Sequence, residues 1–339
     1  MGIMHERIEA SMPVLEVKSL SVSYRTAAGP VCAVRDFSVE LAAGESLAIV
    51  GETGSGKSTV ALALMGLLPG TARVEADRLR FLGEALAPGD GRSWQRIRGR
   101  TMGMIFQDAR GALNPVRTIG AQFSEVLRAH QRLSRKEARS RATALLTDVG
   151  IPQPPFTMRR YPLELSGGMC QRVGIAMAIC HAPSLLIADE PTSALDPSIQ
   201  AQVLEVLRRM KERQRLAMLL ISHDLAMVAE VVERVAVLYH GRMVECGAAA
   251  AVFRKPAHPY TAALIACQAD LRQRWEERRL IPVAGAPPAS GQRFPGCAFA
   301  PRCPEAIPEC SAAEPPLKRI EADHCAACIR EVKGSGLEK

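Results

Sequence analysis

The sequence predicts an α/β fold built around a mostly parallel β-sheet, and two features of the chain support this. In the second half, short apolar runs that are typical of buried strands alternate with stretches of helical length. In the first half, a glycine-rich loop joins an apolar strand to a helix. The composition agrees with a globular protein, because 47% of the 339 residues are apolar and 23% are charged.

The N-terminal third is predicted to begin with strands. Val14–Val22 and Phe37–Leu41 alternate apolar and polar residues, as half-buried strands do. Ser46–Val50 is a short apolar run, which predicts a buried strand. Thr59–Leu68 has the length and the Ala and Leu content of a helix, and a Pro-Gly pair follows it.

The middle of the chain is predicted to be a helical insertion. Val126–Val149 is rich in Arg, Ala and Leu with helical spacing, and after a proline-rich break Ser166–Cys180 is again helical. The later predicted strands are Leu185–Ala188, Ala217–Ser222 and Val235–Tyr239, and the helices between them are Ser198–Arg213 and Leu225–Val232. After about Gly247 proline and cysteine become more frequent, and Tyr260–Arg279 is the last long periodic stretch.

The strongest functional signal is the loop GETGSGKST, which follows a predicted strand and opens a predicted helix. It matches the pattern G-x-x-x-x-G-K-[ST], whose backbone N–H groups and helix N-terminus bind phosphate. Lys57 is expected to reach the β- and γ-phosphates, and the Ser58 hydroxyl to bind Mg²⁺. The predicted ATP-binding residues of the loop are Gly51, Glu52, Thr53, Gly54, Ser55, Gly56, Lys57, Ser58 and Thr59.

A second motif supplies acidic side chains. The run LLIADE at Leu185–Glu190 places Asp189 at the C-terminal end of a strand, where a Mg²⁺ ligand is needed. Glu190 follows directly and can polarise a water molecule for attack on the γ-phosphate. Alone this run is a common strand end, but together with the glycine-rich loop it predicts a P-loop NTPase.

Four further motifs resemble those of ATP-binding cassette (ABC) ATPases. LSGGMCQR at Leu165–Arg172 resembles the signature motif of that family, and SALD at Ser193–Asp196 resembles its D-loop. Gln107 in IFQD and His223 in ISHD resemble the Q-loop glutamine and the switch histidine. The resemblance implies a RecA-like P-loop NTPase core with an antiparallel β-subdomain, plus a helical ABC subdomain.

The resemblance also implies roles for side chains outside the loop. Glu190 would act as the base, with His223, Gln107 and Lys57 as the other catalytic residues. The Mg²⁺ ligands would be Ser58, Gln107 and Asp189. Tyr24 lies where the family places an aromatic ring against adenine, so it would stack on the base; a core tyrosine is the alternative.

The signature motif points to a dimer. Ser166, Gly167 and Gly168 precede a predicted helix and offer a second phosphate-binding helix N-terminus. One chain then carries two anion sites that cannot serve one nucleotide, and a dimer resolves this. The family likewise implies that the P-loop of one subunit and the LSGG of its partner enclose each ATP, and Asp196 is assigned to the same ATP site.

The C-terminal part narrows the resemblance. The runs KPAHPYTAAL, IPVAGAPP, GCAFAPRC and HCAACIR resemble the C-terminal extension of ATPases that serve dipeptide, oligopeptide and nickel importers. The similarity is strongest to the first, D-type ATPase of such importers. It implies a heterodimer with a second ATPase subunit, two transmembrane permease subunits and an extracytoplasmic solute-binding protein. It also implies a peripheral location on the cytoplasmic face of the inner membrane. Peptide is the expected cargo, with nickel, a metallophore or an opine as alternatives.

Half of the ten cysteines lie beyond residue 296. In the importer subfamily the tail cysteines resemble ligands of a 4Fe–4S cluster, and here they fall on Cys297, Cys303, Cys310 and Cys328. Four thiolates also suit zinc, and free thiols or a regulatory disulfide remain alternatives. Cys325 is an additional cysteine that forms a CxxC pair with Cys328, so the fourth ligand stays open.

These inferences divide the chain into four parts. Residues 13–108 and 183–250 are expected to form the nucleotide-binding core, 109–182 the helical signature subdomain, and 251–339 the cysteine-rich extension. No apolar run of about 18 residues or more is present, and the N-terminus does not resemble a secretory signal. The net charge of +8 permits an anionic partner without proving one. The basic stretch 128–141 is interpreted as a solvated helix face. A soluble ABC ATPase acting on DNA or ribosomes is the weaker alternative, and no nucleic acid is expected.

Overall fold

The structure is a computed structural model, and it describes residues 12–27, 29–192, 195–267, 283–289 and 291–330. The strands are β1 Leu15–Thr26, β2 Gly29–Leu41, β3 Ser46–Val50, β4 Ala72–Glu75, β5 Arg78–Phe81, β6 Glu84–Ala85, β7 Met102–Ile105, β8 Leu185–Asp189, β9 Ala217–Ile221, β10 Arg234–Tyr239, β11 Arg242–Ala248, β12 Lys318–Glu321 and β13 His324–Ala326. The helices are α1 Lys57–Leu64, α2 Gly91–Ile97, α3 Ala109–Ala112, α4 Ile119–Ala129, α5 Arg135–Asp148, α6 Pro154–Thr157, α7 Gly167–Ala178, α8 Pro197–Gln214, α9 Leu225–Val231, α10 Ala249–Arg254, α11 Pro259–Ala266 and α12 Pro308–Ala312.

An eight-stranded sheet in the order β12-β13-β11-β10-β3-β9-β8-β7 forms the centre of the fold. The five strands from β10 to β7 are parallel, whereas β11, β13 and β12 pair in antiparallel fashion at one edge. Alternate residues of β3 face two apolar cores: Leu47 and Ile49 contribute to one, Ala48 and Val50 to the other. Because both faces of the parallel strands are buried, these strands are continuous apolar runs rather than alternating ones.

A second, antiparallel sheet has the order β2-β1-β5-β6, with β4 also paired to β1. The expected strands in this region are present but longer than the alternation indicates, since β1 extends to Thr26 and β2 begins at Gly29. The register of the β1–β2 pair shifts at three places between Val17 and Ser23, and these irregularities interrupt the alternation. The antiparallel β-subdomain that the family resemblance implies is therefore present.

Helices α3 to α7 occupy the segment between β7 and β8. The predicted helical stretch Val126–Val149 is interrupted, because α4 ends at Ala129 and α5 begins at Arg135. Ser134 caps α5, and Glu137 completes a capping box by accepting the N–H of Ser134. This segment is helical, as predicted. The bounds 109–182 of the helical subdomain remain a prediction.

The C-terminal part packs against the edge of the central sheet. Strand β13 pairs with β11, so that Cys325 lies opposite Cys246. Of the predicted periodic stretch Tyr260–Arg279, the first residues form α11, and residues 268–282 lie outside the described residues. None of the helices in the described ranges is long and apolar enough to cross a membrane.

Candidate active site

The candidate catalytic residues meet at one edge of the parallel sheet. The glycine-rich loop follows β3, and Gln107 comes two residues after β7. Glu190 directly follows β8, and His223 comes two residues after β9. Because neighbouring parallel strands end at the same edge, the topology brings together residues that are distant in the sequence.

The shape of the loop depends on two glycines. Gly51 has φ +150°, and a Cβ there would lie 2.2 Å from the Leu238 carbonyl oxygen. Gly56 has φ +103° and immediately precedes α1, and its Cβ would lie 2.6 Å from the Ala33 carbonyl oxygen. No other residue type fits either position without moving a neighbouring strand.

Lys57 is the first residue of α1, and its side chain folds back over the loop. Its Nζ donates to the Gly51 carbonyl at 2.7 Å and to the Glu52 carbonyl at 2.8 Å. Burial lowers the pKa of Lys57, and the negative charges of Glu190 and Asp189 oppose that shift. The ammonium group is thus held at the loop by two carbonyl oxygens and surrounded by acidic groups.

A cavity of about 520 Å³ lies over the loop. The predicted residues that line it are Tyr24, Thr53, Gly54, Gly56, Lys57, Ser58, Thr59, Gln107 and Glu190. Gly51, Glu52 and Ser55 shape the loop but do not line the cavity. Sequence reasoning missed the rest of the lining: Thr26, Val31, Cys32, Ala33, His240, Gly241 and Gly291. These residues carry no motif of their own, since only the packing of β1, β2, the β10–β11 turn and the C-terminal segment at Gly291 places them there.

The Glu190 carboxylate is held from two sides. Gln107 Nε2 donates to Glu190 Oε2 at 3.0 Å, and His223 Nδ1 lies 3.2 Å from Glu190 Oε1. The backbone of Glu190 is in the left-handed region with φ +48°, and its N–H donates to the Ile221 carbonyl at the end of β9. Three predicted catalytic residues therefore form one cluster beside the cavity.

Asp189 and Ser58 form the candidate Mg²⁺ site. Burial raises the pKa of Asp189, and a hydrogen bond from the Ser58 hydroxyl opposes that shift. Asp189 Oδ1 is buried and has no hydrogen-bond partner among the described residues. An orphaned carboxylate oxygen beside a serine hydroxyl is the oxygen donor set that Mg²⁺ prefers, so these residues fit the ion.

The signature residues lie elsewhere on the surface. Ser166 caps α7 by accepting the N–H of Met169 at 3.2 Å, and Ser166 and Gly167 are exposed. Neither residue, nor Gly168, lines the cavity over the P-loop. Asp196 caps α8 by accepting the N–H of Ile199, whereas 193–194 lie outside the described residues. The chain therefore carries two separate candidate phosphate-binding surfaces.

Four tail cysteines line one further cavity, namely Cys297, Cys303, Cys310 and Cys328, as the subfamily resemblance implies. Within the described ranges, no three His, Cys, Asp or Glu side chains converge closely enough to hold a single metal ion. The cavity that these cysteines line has a volume of about 20 Å³. Four thiols around one cavity are a donor set that suits either zinc or an iron–sulfur cluster.

Cys325 does not line this cavity. It lies opposite Cys246 in the β11–β13 pair, and burial, with the neighbouring Cys325, raises the pKa of Cys246 to about 12. Cys328 rather than Cys325 therefore joins the other three cysteines.

Cys170, next to the signature glycines, is buried with its Sγ 3.5 Å from the Pro162 carbonyl oxygen, so its side chain points away from solvent.

The tail also contacts the P-loop, which sequence reasoning missed. Two guanidinium nitrogens of Arg302 bind the Glu52 carboxylate at 2.7 and 3.0 Å. The N–H of Glu52 donates to the Tyr260 hydroxyl at 2.8 Å. These partners are 250 and 208 residues from Glu52, so no local sequence pattern could have indicated them.

Known proteins resemble this chain over both the cassette and the C-terminal part. The family pattern "ABC transporter" matches residues 34–193, and "Oligopeptide/dipeptide transporter, C-terminal region" matches residues 244–310. The chain is 43% identical to the dipeptide transport ATP-binding protein DppD of Escherichia coli over 96% of this chain and 99% of that protein. This chain belongs to the ABC transporter family. The predicted family and its P-loop cassette fold are confirmed.

Two further relatives of this ABC transporter chain differ in length from it. It is 46% identical to the oligopeptide transport ATP-binding protein OppD of Mycobacterium tuberculosis over 94% of this chain, but it spans only 52% of that protein. A solved dimeric ATP-binding cassette in a post-hydrolysis state, bound to ADP and Pi, has a TM-score of 0.64 and 25% identity. That likeness covers 69% of this chain and 98% of the solved cassette.

Proposed function

We propose that this chain is the ATP-hydrolysing subunit of a membrane importer for dipeptides or oligopeptides. One observation carries the proposal: the P-loop lysine, the Ser58 hydroxyl and the Gln107–Glu190 pair line one cavity of about 520 Å³. Asp189 contacts Ser58, and His223 contacts Glu190. The C-terminal pattern and the names of the relatives support peptide as the cargo. Nickel, a metallophore or an opine stay alternatives, because permeases and the binding protein select the solute.

The chemistry proposed is phosphoryl transfer from ATP to water. Such a reaction needs positioning and charge neutralisation more than covalent catalysis. The P-loop N–H groups and Lys57 would hold the phosphates, and Mg²⁺, held by Ser58, Asp189 and Gln107, would neutralise their charge. Glu190 would accept the proton of the attacking water, while His223 and Gln107 keep its carboxylate oriented and contact the water.

The second proposed feature is a composite site between two ATPase subunits. Ser166 and Gly167 are exposed at the start of α7, away from the cavity over the P-loop. A helix N-terminus is an anion-binding site, and this one would bind the phosphates of a nucleotide carried by another subunit. The solved dimeric cassette that this chain resembles supports such pairing. The partners proposed are a second ATPase, two permeases and an extracytoplasmic binding protein, at the cytoplasmic face of the membrane.

The third proposed feature is a 4Fe–4S cluster on Cys297, Cys303, Cys310 and Cys328. It would crosslink a coil-rich tail whose own helix α12 has only five residues. Iron and acid-labile sulfide analysis of anaerobically purified protein tests it. About four irons per chain are expected for one such cluster. One equivalent of zinc without iron would show that the alternative is correct.

The test of the catalytic proposal is Glu190→Gln in the assembled transporter. ATP binding should persist, because the amide is isosteric, and turnover should fall by about 10²–10⁴-fold, because the base is lost. Glu84→Gln, an exposed glutamate in β6, is the matched control and should keep full turnover. Retained turnover in Glu190→Gln would show that the partner's site is sufficient. Uptake of labelled dipeptide and of nickel by cells lacking this chain tests the cargo.

A further inference from the structure

We propose that Arg302 and Tyr260, in the C-terminal part of the chain, are positioning residues for the P-loop. They act through Glu52, so that the affinity for ATP depends on the tail as well as on the cassette. This inference rests on the proposal that the loop binds ATP. It assigns a role to side chains that carry none of the cassette motifs.

Every polar group of Glu52 is hydrogen-bonded, and two of the three have partners in the C-terminal part of the chain. The carboxylate binds Arg302 through two nitrogens, at 2.7 and 3.0 Å. The N–H donates to the Tyr260 hydroxyl at 2.8 Å, and the carbonyl accepts from Lys57 Nζ at 2.8 Å. One residue of the loop is therefore tied to the tail on two sides and to the phosphate-binding lysine on the third.

The Arg302–Glu52 ion pair is sufficiently shielded from water to fix the orientation of the Glu52 side chain. The Arg302 side chain is 5% exposed and that of Glu52 is 24% exposed. A bidentate arginine–carboxylate pair fixes orientation as well as distance, and it is weakened less by salt than a surface pair. The tail also holds the guanidinium in place, because Arg302 Nε donates to the Ala284 carbonyl at 2.8 Å. Truncating either partner leaves a largely buried charge without its counter-ion.

Aromatic packing fixes the positions of Arg302 and Tyr260. The rings of Tyr239, Tyr260 and Phe299 contact one another, with centroids 4.5 to 5.3 Å apart. The guanidinium carbon of Arg302 lies 5.9 Å from the centroids of Tyr239 and Phe299. Tyr239 ends β10, the strand next to β3, so the cluster links the tail to the strand that precedes the loop. Rigid side chains of this kind can impose one conformation on Glu52.

The loop itself needs this support. Gly51, Gly54 and Gly56 all have positive φ, so these backbone positions have the widest conformational freedom when the protein unfolds or the loop opens. Anion binding requires several N–H groups to point at one place at once. Contacts that hold Glu52 before the nucleotide arrives reduce the entropy that binding would otherwise lose.

The experiment compares ATP affinity and turnover of full-length variants, with a fluorescent ATP analogue for affinity and the assembled transporter for kcat and KM. Arg302→Ala should weaken ATP binding by about tenfold or more, with a smaller change in kcat at saturating ATP. Arg302→Lys, which keeps the charge but not the two-nitrogen grip, should restore part of the affinity. In a Glu52→Ala background, Arg302→Ala should change affinity by less than about twofold, because the pair is already broken.

Arg234→Ala is the matched control. It breaks the Arg234–Glu45 ion pair, 2.7 Å long, at the opposite end of β10 from the loop. It should leave ATP affinity unchanged, even if it lowers the melting temperature as much as Arg302→Ala does. An Arg302→Ala protein that melts as expected for a lost ion pair but binds ATP like the wild type would overturn the inference.

Tyr260→Phe keeps the inference testable if Arg302→Ala does not fold. It removes one oxygen, leaves the ring packing in place, and should weaken ATP binding severalfold through the Glu52 N–H alone. Wild-type affinity in folded Tyr260→Phe would equally count against the inference. A wild-type chain that neither binds nor hydrolyses ATP would instead overturn the proposed function, so the two failures are distinguishable.

Discussion

Replacing Gly56 by alanine tests how tightly the P-loop is confined. The added Cβ would lie 2.6 Å from the Ala33 carbonyl oxygen and 3.4 Å from Gly241 Cα and Val34 Cγ2. The nearest of these atoms is backbone, in strand β2, and cannot turn away as a side chain can. The substitution therefore has to displace either the strand or the start of α1, where Gly56 is the N-cap.

Gly29 provides a matched comparison. Its φ of +109° is close to the +103° of Gly56, but a Cβ at Gly29 would meet nothing within 4 Å. Gly29→Ala should therefore lower the free energy of unfolding only by the cost of the left-handed backbone, about 1–2 kcal/mol. Gly56→Ala adds the cost of forcing an atom into a filled space, about 1–3 kcal/mol. The expected total at Gly56 is about 2–5 kcal/mol.

Equilibrium urea unfolding of the two variants measures these costs, and titration with a fluorescent ATP analogue measures the effect on the loop. Gly29→Ala should bind the nucleotide like the wild type, whereas Gly56→Ala should bind it more weakly. Equal destabilisation of the two variants, with equal nucleotide affinity, would refute the reasoning. It would mean that β2 yields to the added methyl at no cost.

Two further predictions concern thiol reactivity and the helical segment. Burial raises the pKa of Cys180 to about 11, so only about one thiol in a thousand is ionised at pH 8. After brief iodoacetamide treatment, mass spectrometry should find Cys180 unmodified and the exposed Cys32 labelled. Extensive labelling of the native protein at Cys180 would contradict this. Phe123→Ala, at a fully buried position in the helical segment, should lower the free energy of unfolding by about 3–5 kcal/mol, and Phe156→Ala, at a half-exposed position, by less than about 1 kcal/mol. Thermal unfolding followed by circular dichroism measures both losses, and similar losses would argue against the packing described.

Several features could be predicted from the sequence because they depend on neighbouring residues. The glycine-rich loop between β3 and α1 follows from the residue types that a phosphate-binding turn needs. The parallel strands β8 and β9 are apolar runs of strand length, and their ends place Glu190 and His223 together. Elements whose apolar and polar residues alternate weakly or irregularly were harder to predict from the sequence. The short strands β4 to β6 were not predicted, and Gly66, with φ +59°, ends α1 before the predicted Leu68.

Contacts between distant parts of the chain depended on packing. Sequence similarity grouped the tail cysteines, but the choice between Cys325 and Cys328 follows from the register of β13 against β11. Arg302 and Glu52 are separated by 250 residues, and nothing in either segment indicates the other. Periodicity and turn chemistry act over a few residues and can be read locally, whereas a buried ion pair forms only after two segments have docked, because its stability comes from the shared exclusion of water.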